Sequence, residues 1–311
     1  MGAWKDEQGL LALLIGLMLI SVIVLAVLAF VPLDHFERSA SRSIASPEDV
    51  GSVLFIVDVE VCDVEVQFQD MGGKAVQIDL VLEGRSGYLG SEPEVTFTVE
   101  SSMGGRSLLV DVLLDMDTGP TVDYDDPKLT IIVHSALRAS LDVLVAVGDI
   151  TLEAARPVVL DQVTLCAEVG TVQADLGDGV VLHADLDLRS EVGSVELSCS
   201  SLIVDGELSL NLSAATGGLA LDVEQTSLAG GNLTFNCATE VGTIGLDLII
   251  AGGTAAEITS SIELGNVHTE LDGFSGTDVH LVSGNFPDQC YMRFVLTTKV
   301  GSIDIDAQWR A

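Results

Sequence analysis

The chain has 311 residues, of which 48% are hydrophobic but only 5% are aromatic. Its 47 acidic residues outnumber 13 basic ones, which gives a formal net charge of −34 at pH 7. Such a charge repels nucleic acid phosphates and anionic lipids, so it argues against a DNA- or RNA-binding function. It suits either general solubility or a salty, cation-rich exterior in which screening relieves self-repulsion.

The first predicted element is a membrane-spanning helix. Leu10 to Val31 form an uncharged run of 22 residues, and about 20 apolar residues cross a bilayer as a helix. The apolar part of a cleaved signal peptide is shorter, about 7–15 residues, and ends at a small-residue site. We therefore predict that residues 1–31 are a short stub and a retained transmembrane helix, with the membrane as its partner.

The orientation of this helix is less strongly marked. Lys5 lies on one side of the run, and Arg38 and Arg42 lie on the other, so the positive-inside rule does not decide. The long β-rich remainder lacks cytoplasmic motifs. We therefore predict a single-pass protein of the cell membrane whose β domain is extracellular.

The stub from Lys5 to Leu10 also resembles an archaeal pilin-type leader, in which a charged segment precedes a helix that assembles filaments. Asp6 stands where such a leader has Gly or Ala after the basic residue. This resemblance favours an alternative function, a pilin-like filament subunit assembled through its N-terminal helix.

Two further regions precede the most regular part of the chain. Residues 32–50 are rich in Ser and lack an apolar period, so we predict a stalk or linker. Residues 51–138 contain short runs in which apolar and polar residues alternate, such as Val57 to Val61, Val64 to Phe68 and Ala75 to Leu82. These runs predict a β-rich N-terminal part built as an antiparallel layer.

A short phrase centred on glycine then returns seven times in residues 139–311. The glycines are Gly148, Gly170, Gly193, Gly217, Gly242, Gly265 and Gly301, with spacings of 22, 23, 24, 25, 23 and 36 residues. A period of this size is typical of repeat architectures. The last interval is longer, and an insertion of this kind is either a binding loop, with Phe274 and Phe286 as contact residues, or a cap on the final unit.

The residues around each glycine predict a strand, a corner and a second strand. Positions two and four after the glycine, and five and seven before it, are apolar apart from Thr269 and Ser260. This period of two places alternate side chains on one face. We predict an all-β fold: a β-solenoid or β-helix-like repeat domain preceded by a β layer, with one N-terminal transmembrane helix. A β-sandwich of successive hairpins is the rival.

The segments Leu129–Val133 and Leu141–Leu152, which ends in the phrase Val-Gly-Asp-Ile-Thr-Leu, resemble the putative-adhesin family of β-strand-repeat surface proteins. Members of that family carry an N-terminal membrane helix, then a β layer, then repeated turns of the form Gly-Asp-Ile/Val. The resemblance covers about residues 50–307. It implies the fold and a surface location, and it brings no catalytic residues.

The position five after each glycine is the first candidate site. Six of the seven residues there are carboxylates, and the alternation points them outward: Glu153, Asp175, Asp222, Asp247, Glu270 and Asp306, with Ser198 as the exception. If the units stack in register, these side chains form a column with a spacing of about 4.8 Å. The column is either a solvated face or a ladder that binds cations, for which Ca²⁺ suits carboxylate oxygens.

A second acidic group, Asp115, Asp117 and Asp123, lies between two predicted strands. Its Asp-x-Asp-x-Gly pattern is similar to part of a calcium loop, but the spacing and closing Glu of an EF-hand are absent. It is therefore either a weak Ca²⁺ site or an acidic solvent loop. The five cysteines form no Cys-x-x-Cys pair, which predicts mostly buried free thiols and leaves one disulfide open.

The predicted function is non-enzymatic. The sequence contains no Gly-x-Ser-x-Gly elbow, P-loop, His-Glu-x-x-His or dinucleotide fingerprint. We predict adhesion, envelope organisation or self-association through the acidic repeat surface, with a cell-surface protein, a glycan or a second copy as partner. A carbohydrate-active β-helix enzyme, with paired carboxylates in a groove, is a further alternative.

Overall fold

The computed structural model describes residues 33–45, 50–87, 94–116, 122–227, 230–251, 253–286 and 290–310. Within these ranges the chain is all-β, with 22 strands and no helix. The strands are, in chain order, β1 (Leu33–Ala45), β2 (Ser52–Val61), β3 (Asp63–Gln69), β4 (Lys74–Gly87), β5 (Val95–Gly104), β6 (Ser107–Met116), β7 (Val122–His134), β8 (Arg138–Val147), β9 (Ile150–Ala154), β10 (Val159–Val169), β11 (Val172–Leu176), β12 (Val181–Leu182), β13 (Leu186–Val192), β14 (Val195–Ser200), β15 (Ile203–Val204), β16 (Glu207–Thr216), β17 (Leu219–Gln225), β18 (Asn232–Ala251), β19 (Thr254–Asp272), β20 (Phe274–Thr277), β21 (His280–Ser283) and β22 (Cys290–Arg310).

The strands stack as rungs, each made of a strand, a corner and a second strand. The strands before the corners, which we call the first face, pair in parallel from β2 through β8, β10, β13 and β16 to β18. Those after the corners, the second face, pair in parallel from β3 through β9, β11, β14 and β17 to β18. Successive hairpins would instead pair antiparallel.

The hydrophobic core fills the inside of this stack. The side chains that the period of two predicted to point inward are buried on both faces, as Leu165 and Leu188 illustrate with 0% exposure. Phe235 and Phe294 stack inside the core with ring centroids 4.5 Å apart. One cluster of buried side chains runs from Val53 to Ala307 and has members on both sides of residue 138.

The seven glycines form one column along the corner between the two faces. Each of six has a φ between +143° and +152°, a range that favours glycine; Gly242 is the exception. A Cβ added at any of the seven would lie less than 3.0 Å from the carbonyl oxygen of the neighbouring corner. The backbone also hydrogen-bonds from corner to corner, for example from Gly170 N to Val192 O over 3.0 Å. Close approach of backbones is therefore what requires glycine here.

The predicted antiparallel layer over residues 51–138 is wrong in its pairing. β2 and β3 are a rung of the same stack, since they pair in parallel with β8 and β9. Cys62 occupies the corner of this rung, and its backbone N–H donates to Val147 O over 3.0 Å. β6 and β7 form a further parallel rung beyond it. Only β5, β4 and β1 add antiparallel strands at this end.

The rungs at the C-terminal end do not stack in chain order. β22 lies between β18 and β19 and pairs in parallel with both. Between β19 and β22 the chain forms the hairpin β20–β21, which pairs antiparallel with β19 at Glu257 to Thr259. Glu257 contacts His280 Nε2 at 3.0 Å and Arg293 Nε at 2.7 Å. The long last interval is therefore a hairpin that covers the final rung.

Two N-terminal predictions have different outcomes. Residues 33–45, which the sequence predicts as part of a stalk, form β1, which pairs antiparallel with β4 from Leu33 to Ala45. Hydrogen bonding to β4 holds these residues in a strand, although their sequence has no apolar period. The predicted span Leu10 to Val31 lies outside the described residues. In the part of the chain that the structure describes, no helix is long and apolar enough to cross a membrane.

Candidate functional site

The carboxylates five residues after each glycine stand in one register column on the second face. The pairing aligns Glu153 with Asp175, Asp175 with Ser198, and Ser198 with Asp222. It then continues, in spatial order, through Asp247, Asp306 and Glu270. Because β22 lies between β18 and β19, Asp306 separates Asp247 from Glu270. All seven side chains are exposed, so the predicted outward column exists as a row of neighbouring charges.

The charges of this column act on one another most clearly at its centre. Partial burial raises the pKa of Asp247, and the neighbouring carboxylates of Asp222 and Asp306 raise it further. A raised pKa means that the folded chain resists the loss of this proton more than the unfolded chain does. Stability therefore falls as the pH rises from the unfolded pKa through the folded pKa, and the penalty persists at neutral pH.

Replacing Asp247 by Asn should therefore stabilise the fold at neutral pH. At pH 7 and low salt we expect Asp247→Asn to raise Tm by about 1 °C or more, because it removes a charge from between two others. The gain should vanish near pH 3, where the carboxyl is protonated in both states. The matched control is Asp187→Asn, since Asp187 has the uncharged neighbours Thr164 and Asn211. An equal gain from both variants would contradict the interpretation.

Beside the column lies a shallow groove of about 490 Å³ in the second face. Ala220 and Gly245 stand next to each other in register three residues after their glycines, and their small size lowers this part of the surface. Glu196 and Asp304 extend the same row on either side. The groove is thus floored by small residues and rimmed by carboxylates, which makes it attractive to cationic groups and repellent to anions.

The structure does not gather the candidate metal ligands into a coordination sphere. Within the described residues, no group of three or more His, Cys, Asp or Glu could hold a metal ion. The column offers successive carboxylates along a line, not around a point. Asp115 lies on β6 and Asp123 on β7, while Asp117 lies outside the described residues. Cation binding by either group stays a prediction.

The cation prediction has a direct thermal test. If the column binds Ca²⁺, millimolar CaCl₂ should raise Tm well beyond NaCl at matched ionic strength, because two neighbouring carboxylates would share one ion. Differential scanning fluorimetry measures this, and Asp222→Asn with Asp247→Asn should reduce the difference, while the neighbouring pairs Glu153–Asp175 and Glu270–Asp306 remain. Equal responses of the unchanged chain to the two salts would show that only screening is at work.

A second surface feature was not predicted from the sequence. The residues immediately before the glycines are large, apolar and exposed: Val147 46%, Val169 46%, Val192 51%, Val241 51%, Leu264 67% and Val300 42%. With Val61 and Thr216 they are aligned in register along the corner. We call these eight residues the valine ridge; its seven spacings span about 34 Å. The Val that repeatedly precedes Gly in the sequence is the pattern that could have predicted this row.

The valine ridge is bordered by acidic residues. The position before each ridge residue is acidic in five of eight cases: Glu60, Glu168, Glu191, Glu240 and Glu263. At a sixth, Lys299 Nζ contacts Glu240 Oε1 at 2.7 Å. Exposed apolar residues in a contiguous row mark an interaction surface more often than scattered ones do. The ridge is therefore an apolar line within a negatively charged surface.

Three of the five cysteines lie in the core: Cys62, Cys199 and Cys237. All five cysteines are free in the structure. Burial raises the pKa of Cys62 and of Cys199 to about 12, and burial raises the pKa of Cys237 as well. Because the thiolate is the nucleophilic form, these three residues behave as small apolar core residues.

No family model matches the chain, and no curated protein matches it. Among solved structures, a putative cell adhesion protein from Clostridium sporogenes is similar at 11% identity and a TM-score of 0.42, over 88% of this chain and 100% of that one. A putative adhesin from Bacteroides fragilis is similar at 12% identity and a TM-score of 0.32, over 87% and 97%. TM-scores this low do not establish a shared fold, so the proposals below rest on residues of this chain.

Proposed function

We propose that the chain is a membrane-anchored, non-enzymatic cell-surface protein that acts through contact, in adhesion, envelope organisation or self-association. Its stack of rungs serves as a β-solenoid-type spacer outside the cell, and residues 10–31 anchor it. The observation that carries this proposal is the valine ridge. An exposed apolar row about 34 Å long is an aggregation hazard unless it is used for contact.

The acidic surface around the ridge supports the same function. Its charge repels anionic lipids and keeps the apolar row from non-specific association. A partner that carries basic groups beside apolar ones would match both features. The groove beside the carboxylate column offers such a partner a second, purely electrostatic contact.

The ridge can be changed without disturbing the core. Thr216 already occupies one ridge position, so threonine is compatible with the local backbone, and its β-branch suits a strand. We expect the triple variant Val169→Thr, Val192→Thr and Val241→Thr to fold normally. Cells that display this full-length variant should lose attachment to cells or glycan-coated surfaces that bind the unchanged chain.

The matched control changes equally exposed apolar residues elsewhere. Leu54, Leu113 and Leu144 lie on the outer side of the first face with 40%, 43% and 41% exposure. Their replacement by Thr should leave attachment unchanged. Loss of attachment in both variants, or in neither, would contradict the role of the ridge.

The alternative functions have different signatures. Filaments in electron micrographs, together with removal of the stub before Leu10, would favour a pilin-like subunit. Polysaccharide turnover that is abolished by Asp222→Asn and Asp247→Asn would favour a carbohydrate-active enzyme. A chain without either property, released from membranes by proteolysis within residues 32–50, fits the proposed function.

A further inference from the structure

The last rung of the stack has an edge that no described strand covers. β19 pairs with β22 on one side, and on its other side with β21 at Glu257 to Thr259. Among the residues that the structure describes, none forms a backbone strand pairing with the outer edge of residues 266–272, the second face of this rung; the Thr269 side chain contacts Asp278 Oδ1 at 3.5 Å. The free N–H and C=O groups of an edge strand are a template for a further strand.

The stack has two ends, and each end has a first-face strand and a second-face strand. Three of these four outermost strands pair with an additional antiparallel strand. β5 covers β6, β4 covers β7, and β21 covers the first face of β19. At the uncovered end the core is partly open: Leu271 is 40% exposed, whereas Ala307, its register partner on β22, is 0% exposed. Val267 and Thr269 are likewise only half-buried. An antiparallel strand here would complete the core in the manner of the other ends.

The chain itself has little that could reach this edge. The internal segments outside the described residues are at most six residues long, and residues 266–272 number seven. Residues 1–32 contain the predicted transmembrane helix and precede β1. β1 lies ten strand spacings from β19 on the second face, or about 48 Å. A strand from another molecule is therefore the occupant that fits.

The edge is complementary to itself when a second copy runs antiparallel. With Thr269 opposite Thr269 of the second copy, Val267 faces Leu271 on the core side. On the outer side His268 faces Glu270 of the second copy, and the symmetry repeats each pair. Apolar pairs directly across antiparallel strands stabilise the pairing, and an imidazole N–H can donate to a carboxylate oxygen. Within one chain His268 Nε2 and Glu270 Oε1 are 3.7 Å apart, and both side chains are more than 70% exposed.

We propose that two copies of the chain associate through residues 266–272, paired antiparallel about a two-fold axis at Thr269. The two second faces then form one continuous sheet. This dimer is one form of the self-association included in the proposed function and to that extent rests on it. The valine ridge takes no part in the dimer. Two chains with a charge of −34 each repel one another, so the dimer strengthens as salt screens them.

A cysteine at the axis tests the register in the full-length chain. Residues directly opposite in an antiparallel pair have Cβ atoms about 4.5–5.5 Å apart, close enough for a disulfide after a small shift. Thr269→Cys should therefore give a covalent dimer on mild oxidation, with the two introduced thiols joined in the peptide map. In the control Val267→Cys, the two introduced thiols are offset by four residues, about 14 Å, and no such bond should form.

A charge exchange tests the outer pairs. In the Thr269→Cys background, His268→Glu alone places carboxylates opposite each other, and Glu270→His alone places imidazoles opposite each other. The facing carboxylates repel one another at both symmetry-related pairs and should lower dimerisation about tenfold, whereas the facing imidazoles lack a carboxylate acceptor and should lower it less. The double variant His268→Glu, Glu270→His restores opposite partners and should restore the cross-linked fraction.

Three outcomes would overturn the dimer. These are equal cross-linking of Thr269→Cys and Val267→Cys, no cross-link although the thiol at 269 reacts with a maleimide, and no rescue by the double exchange. The ridge variant separates this inference from the proposed function. If attachment depends on the ridge but Thr269→Cys gives no cross-link, the proposed function stands and the dimer is rejected. If the cross-link forms but attachment does not depend on the ridge, only the dimer stands.

Discussion

Gly217→Ala should cost the fold about 4 kcal/mol or more, which is at the upper end for a single methyl group. A Cβ at this position would lie less than 3.0 Å from the carbonyl oxygen of Gly193. Both groups belong to backbones that are hydrogen-bonded on either side, so neither can move away without disturbing the next rung. The free energy of unfolding from urea denaturation measures the loss.

Gly206→Ala is the matched control for this substitution. Gly206 also has a positive φ, +96°, but an added Cβ would meet nothing within 4 Å. Its replacement should therefore cost only the backbone strain of a left-handed residue, about 1–2 kcal/mol. If the two variants lose the same stability, the crowding along the corner is not what requires glycine. If Gly217→Ala fails to accumulate while Gly206→Ala does, the crowding is confirmed.

Gly265→Ala should fall between these two. Its added Cβ would meet the carbonyl oxygen of Gly301, but the rung of Gly265 is the last of the stack and has one parallel neighbour. It can therefore shift outward at a lower cost than a rung held on both sides.

Removing β22 should release β19 as well. β22 buries Met292, Phe294, Leu296, Ile303 and Ile305, and at about 1.5–3 kcal/mol each these side chains contribute about 10 kcal/mol. That is comparable to the net stability of a whole domain. In a chain that ends at residue 289, β19 loses β22, its one parallel partner among the described strands. We expect residues 254–283 to lose protection from amide exchange and to be removed by protease.

The matched control is a chain that ends at residue 251, which lacks β19 through β22. Limited proteolysis should reduce the chain ending at 289 to the same resistant core that the control shows. If the rungs stacked in chain order, loss of the last unit would leave β19 in place. Protection of residues 254–272 in the chain that ends at residue 289 would therefore contradict this order of rungs.

The repeat period was a sound guide to local structure. The alternation around Gly170 and Gly193 correctly separated buried residues such as Leu165 from exposed ones such as Asp175, because a strand alternates its side chains by geometry alone. Glycine at the corners was also informative, since few other residues allow two backbones to approach so closely. The acidic column followed from these two facts once the rungs were in register.

The sequence misled where contacts are distant along the chain. Nothing in the repeat indicates that β22 inserts between β18 and β19, because neighbours in sequence need not be neighbours in a sheet. The rung of β2 and β3 was missed because Cys62 stands where later rungs have glycine. Residues 33–45 were predicted as a stalk, since pairing with β4 is a property of the partner strand and leaves no apolar period.

By itself, the sequence determined the all-β class, the inward and outward sides of the repeat strands and the position of the corners, since these depend on residues within one rung. The tertiary structure alone decided the order of the rungs, the exposure of the valine ridge and the uncovered edge at residues 266–272. The physical reason is that exposure and pairing depend on what lies about 4.8 Å away across the sheet. Along the valine ridge that neighbour is 22 residues distant in the chain for Val147 and Val169 and 86 residues distant for Val61 and Val147.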